Sequence, residues 1–250
     1  HERTTNGMEQ VEFSAPLSPH QNYCDRGEDY RAGTVLLPAG MVLDAAAIGV
    51  LASAGICQVP VRRRPVVGVL STGDEVVPPE THPLPPGKIY GSNQDLLTAR
   101  LRELGIGEVR CVLSPDEPQA VADTMAELLN TCDVLLTTGG VSAGDKDIFH
   151  EALPLLWVER VFWKVNLKPG TPAMYSLKDG KPILSLSGNP FAAAATFELL
   201  ARPLLATLTG EAHFALTPLT AVTEDGFPKA SPGRRFLRGV YRRGRVVLTG

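Results

Sequence analysis

The 250-residue sequence predicts an α/β protein: a parallel doubly wound sheet flanked by small β-rich domains. Three observations predict it. Between residues 65 and 209, short apolar runs alternate with stretches whose apolar residues recur at helical spacing, the order of a parallel sheet wrapped by helices on both faces. The runs at 66–70 (V-V-G-V-L) and 134–138 (V-L-L-T-T) are nearly continuous, as strands buried on both faces are. The loops S-T-G-D-E, S-P-D-E, T-T-G-G-V-S-A-G-D and S-G-N-P all follow such runs, at the carboxyl strand ends where these sheets bind ligands.

Taken in order, residues 1–25 read as the end of a small β domain. Residues 26–64 read as a linker domain with β segments and one helix. Its strand pieces fall in G-T-V-L-L-P-A-G (33–40) and at 58–61, and Asp44 caps a helix from Ala45 to Ala54 that stops at Gly55. Arg62, Arg63 and Arg64 mark the boundary. In the α/β domain, 65–209, a strand at 66–70 leads through a proline-rich loop to a helix opened by Ser92, with Asp95 at the capping-box position and Leu97, Leu101 and Leu104 inward. A strand at 109–113 follows, then a helix starting near Asp116 with Val121, Met125, Leu128 and Leu129 on one face. A strand at 134–138, a helix at 148–156 and a strand at 183–186 come next. The last helix starts at Pro190, with Phe197, Leu200, Leu204 and Leu208 inward and a kink at Pro203. Residues 210–250 read as a truncated β domain whose hairpin turns at Gly244.

Composition narrows the function classes. Apolar residues make up 44 % and charged residues 20 %, enough for a packed core. A net charge of −3 disfavours a general nucleic-acid binder. No run of 18 apolar residues occurs, so no membrane span is expected. The four cysteines form no C-x-x-C; Cys111 and Cys132, in apolar runs, read as small buried residues. The cytoplasm is the expected compartment. His1 is no start methionine and the chain stops in a strand-like run, so a fragment of a longer protein is expected.

Four groups of residues carry chemistry. Thr138, Gly139, Gly140, Ser142 and Gly144 follow a buried strand; glycines there let backbone N–H groups converge on an anion, or simply make a tight turn. Gly188, Asn189 and Pro190 open a long helix, either as plain capping or as an anion site that Ser187 joins. Asp74, Glu75, Asp116, Asp145 and Asp147 gather on loops at one sheet edge. Each alone reads as a solvated loop charge or a helix cap, Asp116 above all; gathered beside a phosphate cradle, carboxylates hold Mg²⁺, with Glu75, Asp145 and Asp147 as the candidate ligands. Lys164 and Lys168, an even number apart in an extended stretch, share a face and serve one anion, or only solubility. G-x-G-x-x-G, Walker, H-E-x-x-H and G-x-S-x-G signatures are absent.

R-G-E-D-Y, V-L-S-T-G-D-E-V, I-Y-G-S-N, T-T-G-G-V-S-A-G-D-K-D, F-W-K-V-N-L-K-P-G and S-G-N-P-F-A stand here in one order. In that order and spacing the chain resembles the molybdopterin molybdenumtransferases and the gephyrin E domain, over residues 26 to 240. The resemblance implies a homodimer with its site between subunits. It implies Mg²⁺-dependent insertion of molybdate into adenylylated molybdopterin with release of AMP, the substrate arriving from the pathway's adenylyltransferase. Matching family positions are Asp29, Glu75, Asp116, Asp147, Lys164 and Lys168. Thr72, Gly73, Ser92 and Asn93 join the glycine turns as substrate-binding residues, and Ser187 lies where the family binds an oxyanion. Molybdate and tungstate, nearly equal in size and charge, are equivalent to such a site.

The chain departs from the family at Thr171, where K-P-G-K-P has its second lysine, and at Ser187, where P-G-N-P has proline. The family's M-D-G-Y-A segment is absent, which leaves this polypeptide alone open to being inactive. Two other readings remain: a molybdopterin adenylyltransferase-like nucleotide-binding protein, which would lack the flanking segments, and a non-catalytic gephyrin-like scaffold.

Overall fold

The computed structural model describes residues 16, 18–141, 147–211, 214, 216–226, 230–231 and 233–249. The chain forms two compact units, residues 1–59 and 60–250. In the first, helix α1 (Ala45–Ser53) is capped as expected: the Asp44 carboxylate accepts from the Ala47 N–H at 2.8 Å. The strand pieces expected at 33–40 and 58–61 do not form. A strand exists only where a partner satisfies its backbone, and none of the described residues pairs with them.

The second unit holds the sheet. Its parallel strands are β1 (Val67–Thr72), β4 (Val109–Ser114), β5 (Val134–Thr138) and β9 (Lys181–Leu186). Between β1 and β4 lie β2 (Val76–Val77), β3 (Ile89–Tyr90) and helix α2 (Asn93–Glu103). Helix α3 (Pro118–Thr131) precedes β5, and α4 (Ile148–Leu155) follows it. Two strands with no place in the expected order, β6 (Glu159–Trp163) and β8 (Met174–Lys178), extend the sheet antiparallel, with the short β7 (Leu167–Lys168) between them in sequence. The full order is β4-β1-β5-β9-β8-β6, so the sheet is mixed and dominated by parallel strands.

Alternation along the strands divides the core. Val67, Val69, Val134, Leu136, Leu184 and Leu186 face α2 and the C-terminal helix; Leu70, Leu135 and Ile183 face α3 and α4. A parallel sheet must have both faces covered, which the apolar runs anticipated. Gly68 sits where a Cβ would lie 2.9 Å from Leu135 and 3.3 Å from the Cys132 sulfur, so α3 packs close. Cys132 is buried as expected; Cys111 is exposed on the edge strand β4, its sulfur 3.2 Å from the Thr98 hydroxyl of α2.

The final helix runs as α5 (Pro190–Thr196), a π-helical turn (Phe197–Ala201) and α6 (Arg202–Thr209). Phe197, Ala201, Leu205 and Thr209 are buried, the expected Leu200 and Leu204 pack partly buried on the same core, and Leu208 is 41 % exposed. A π-turn inserts an extra residue into the helical ladder, so the most deeply buried positions fall at Ala201, Leu205 and Thr209, one along from those expected, and Leu208 turns outward. By length and composition this helix would pass for a membrane span; Phe197, Ala201 and Leu205 instead are fully buried against the sheet.

The arginine run ends in the sheet's foundation. Arg63 makes a two-pronged pair with Asp133 at 2.7 and 2.8 Å, and Arg64 donates to the carbonyl of Leu104 at 3.2 Å, at the end of α2. At the C-terminus, β12 (Gly239–Arg242) and β13 (Arg245–Leu248) form the expected hairpin, with Arg243 and Gly244 both at positive φ in its turn. Strand β10 (Val222–Thr223) adds to it, and β11 (Arg234–Arg235) pairs with β7.

Candidate functional site

Between β1 and β5 the winding reverses, since the chain leaves β1 toward β4 and returns to the far side as β5. Open α/β sheets bind ligands at the carboxyl ends of the strands at such a point. A cleft of about 360 Å³ lies there. Thr72 from β1, Thr138 at the end of β5 and Gly139 just after it, Gly188 after β9, and Ser92 and Asn93 at the start of α2 line it, with Glu75 from the loop after β1.

Glycine geometry lets these loops meet. Gly139 has φ +84°, and a Cβ there would lie 2.3 Å from the Thr72 carbonyl oxygen. A Cβ on Gly188 would lie 3.2 Å from the Gly139 Cα. Gly73, at φ +141°, leaves room for the Glu75 carboxylate, whose oxygens would stand 3.1 Å from a Cβ. The hydroxyls of Ser71 and Thr138 share a hydrogen bond of 3.1 Å across β1 and β5. The Asn93 Nδ2 donates to the Gly188 carbonyl at 2.9 Å and ties α2 to the loop after β9. Thr72 Oγ1 and Asn93 Oδ1 are buried and have no hydrogen-bond partner among the described residues.

The proline-rich segment builds the cleft's other wall. β2 and β3 pair, Val76 with Ile89 and Val77 with Tyr90, and the Tyr90 hydroxyl donates to the Thr81 carbonyl at 3.1 Å. This wall was not expected. Its signal was present: V-V and I-Y, two β-prone pairs, flank the proline stretch. The charged residues lining the cleft are Glu75, Glu80 and Asp95, with no lysine or arginine among the described lining residues.

Other expected site residues stand apart from the lining. Asp74 and Asp116 clasp each other's loops: the Asp116 N–H donates to the Asp74 carboxylate at 3.1 Å, and the Asp74 N–H to that of Asp116 at 3.3 Å. Asp147 caps α4 through the Phe149 N–H at 3.0 Å and is 1 % exposed. His150, whose Nε2 lies 3.9 Å from Asp147, accepts through Nδ1 from Arg160 at 2.9 Å and packs edge-on against Trp163. Lys164 lies over that indole at 3.9 Å. Lys168 is exposed on β7, in register with Arg235. Asn189 caps α5 by accepting from the Ala192 N–H at 3.1 Å, and the Ser187 hydroxyl accepts from the Asn189 N–H at 3.3 Å. Ser92, which does line the cleft, precedes α2 without making the side-chain cap expected of it. Gly140, at φ +59°, could carry no Cβ, which would sit 2.3 Å from Ile148. Ser142, Gly144 and Asp145 lie outside the described residues, and Asp29 belongs to the first unit.

Among the described residues no three acidic, histidine or cysteine side chains gather as a metal cage. One cleft carboxylate, Glu75, suits Mg²⁺, which keeps most of its waters and takes one or two carboxylates besides substrate phosphate.

Comparison with known proteins follows the same lines. Residues 68–207 match the family described as a probable molybdopterin binding domain, and residues 1–55 match the MoeA N-terminal region, domains I and II. A molybdopterin molybdenumtransferase of Staphylococcus aureus is 33 % identical over 223 residues, 89 % of this chain and 53 % of that protein. One from Bacillus subtilis is 32 % identical over 247 residues, 98 % of this chain and 57 % of that protein. A crystal structure of a molybdopterin biosynthesis MoeA protein from Pyrococcus horikoshii superposes with TM-score 0.80 at 28 % identity, over 99 % of this chain and 61 % of that one. The chain spans a little over half the length of the curated relatives it matches.

Proposed function

The chain belongs to the molybdopterin-binding domain family, in its MoeA-type molybdenumtransferase branch, and on that premise we propose that it serves molybdate insertion into adenylylated molybdopterin with release of AMP. The observation that carries the proposal is the cleft at the β1/β5 switch point, inside the matched domain. Glu75 would hold Mg²⁺ there, and the ion would supply the positive charge that the cleft's own side chains lack. Lys164, Lys168 and Ser187, which stand outside the cleft lining, would serve as a positively charged and hydroxyl-bearing rim for the oxyanion. Free Cys24, Cys57, Cys111 and Cys132 suit a reducing, cytoplasmic compartment. A homodimer is part of the same proposal: Met41, Val42 and Ile48 of the first unit are exposed apolar side chains that a partner could cover.

The test is reconstitution with adenylylated molybdopterin, molybdate and Mg²⁺, following AMP release. Molybdate-dependent release that Glu75→Ala or Lys168→Ala abolishes supports the proposal. Adenylate that binds but is never cleaved moves the reading to a scaffold. Synthesis of the adenylate from ATP moves it to the adenylyltransferase. Light scattering measures the dimer.

A further inference from the structure

Lys164 stands over a ring that strand geometry would deny it. Successive side chains of a strand point to opposite faces, so neighbours i and i+1 do not meet. Trp163 ends β6, and Lys164 leaves the strand at φ +67°, in the left-handed region that L side chains occupy only at a cost. Two backbone bonds hold this turn: the Lys164 N–H donates to the Ala173 carbonyl at 3.0 Å, and the Val165 N–H to that of Thr171 at 2.8 Å. The turn folds the lysine back on its neighbour, with Nζ 3.9 Å from the indole centroid. The indole is itself anchored. His150, from α4, meets it edge-on with ring centroids 4.2 Å apart. The Arg160 guanidinium, 5.9 Å from the indole centroid, donates to His150 Nδ1 at 2.9 Å.

Stability does not account for this arrangement. Lys164 is exposed, and the attraction of an exposed cation to a ring at most about equals what the left-handed backbone costs. Strained residues held in place by their surroundings gather at functional sites. We propose that Trp163 is a positioning residue whose ring stations the Lys164 ammonium for the oxyanion. The inference rests on the functional reading above, which puts Lys164 on the rim, and deepens it. A lysine on a solvated surface samples many rotamers, and an anion that captures it must order them. The ring orders the side chain beforehand. It also leaves the charge intact, because a quadrupole attracts a cation without neutralising it. The anion then meets a lysine that is already in place, and binding loses less entropy.

The experiment measures molybdate binding by equilibrium dialysis to the 250-residue chain, to Trp163→Leu, Trp163→Phe and Lys164→Met, and to the double variant of Trp163→Leu with Lys164→Met. Trp163→Leu should weaken binding roughly two- to tenfold, and Trp163→Phe, which keeps a ring face, should lose less. With Lys164→Met already present, Trp163→Leu should change nothing further. Binding by Trp163→Leu as tight as that of wild type, or weakened equally in both backgrounds, overturns the inference and leaves the functional reading standing. Emission gives a second readout. Trp157, 89 % exposed, and Trp163 are the chain's two tryptophans, so in Trp157→Phe only Trp163 reports. Its emission should change saturably with molybdate, and Lys164→Met should abolish the change. Bound molybdate that leaves this emission unaltered also overturns the inference alone. Should Trp163→Leu fail to fold, the emission of Trp157→Phe decides by itself. Wild type that binds no molybdate overturns the functional reading and the inference with it.

Discussion

Gly139→Ala separates two kinds of glycine requirement. The residue has φ +84°, where an L side chain costs roughly 1–2 kcal/mol. Its Cβ would also fall 2.3 Å from the Thr72 carbonyl oxygen. Thr72 is 4 % exposed at the carboxyl end of β1, where it pairs with Ser114 of β4, so that oxygen can move away only by displacing the end of β1. Gly180 is the control: its φ is +78°, and nothing lies within 4 Å of its added Cβ. Gly180→Ala should therefore cost only the conformational term, about 1–2 kcal/mol. Gly139→Ala should cost at least about 3 kcal/mol once the clash is added, lowering Tm by roughly 6–12 °C for a chain of this size. Urea unfolding followed by circular dichroism measures both, with the slope m unchanged. Equal losses would refute the argument that close approach of the loops after β1 and β5 builds the cleft.

Three further predictions follow from the framework. Leu205→Ala, in the core, should cost about 2–5 kcal/mol, and Leu208→Ala, half exposed, less than about 0.5 kcal/mol; the reverse order would mean that the π-turn does not reset the helix face. Asn189→Ala removes the cap of α5 and should cost about 1 kcal/mol in the same assay. The Arg63 guanidinium holds the Asp133 carboxyl below its ordinary range, burial opposing and the Val66 N–H assisting. A depressed folded value means that the contribution is present above the unfolded value of about 3.9 and is lost as pH falls through the folded one. The difference in urea midpoint between wild type and Asp133→Asn should then narrow below about pH 4, and a constant difference would argue against the pair.

Strand positions were legible because burial on both faces writes a continuous apolar run: 134–138 coincides with β5, and 183–186 lies within β9. Asp44 and Asn189 were legible as caps because capping is local chemistry. Strands β6 and β8 were not, since Glu159–Trp163 and Met174–Lys178 are held by antiparallel pairing that no local pattern announces. The same limit hid the Val76–Tyr90 wall, whose two halves are joined only by long-range pairing. Of the expected binding residues, Thr72, Ser92, Asn93, Thr138, Gly139 and Gly188 share the cleft with Glu75. Asp116 already read as a loop charge or cap and Asp147 as a metal candidate, yet backbone N–H groups engage both, one in a loop clasp and one in a helix cap. A sequence shows which loops lie at the sheet edge, not which acid a nearby amide will capture.

The remaining question is why Lys168 stands where it does. β7 and β11 pair in parallel register, with Lys168 opposite Arg235, so two cations sit side by side on neighbouring strands. Like charges on exposed neighbours repel, by an amount that solvent holds to a few tenths of a kcal/mol. A position kept for stability would not bear that repulsion, whereas one kept for an oxyanion would, since the anion turns repulsion into a clamp. Lys168→Gln should thus leave unfolding stability unchanged or raise it by up to about 0.5 kcal/mol, while weakening molybdate binding measured by equilibrium dialysis. The effect on binding should shrink as salt rises, because screening removes the charge that was lost. A variant that is destabilised and binds molybdate as well as wild type would make Lys168 a structural residue and remove it from the rim.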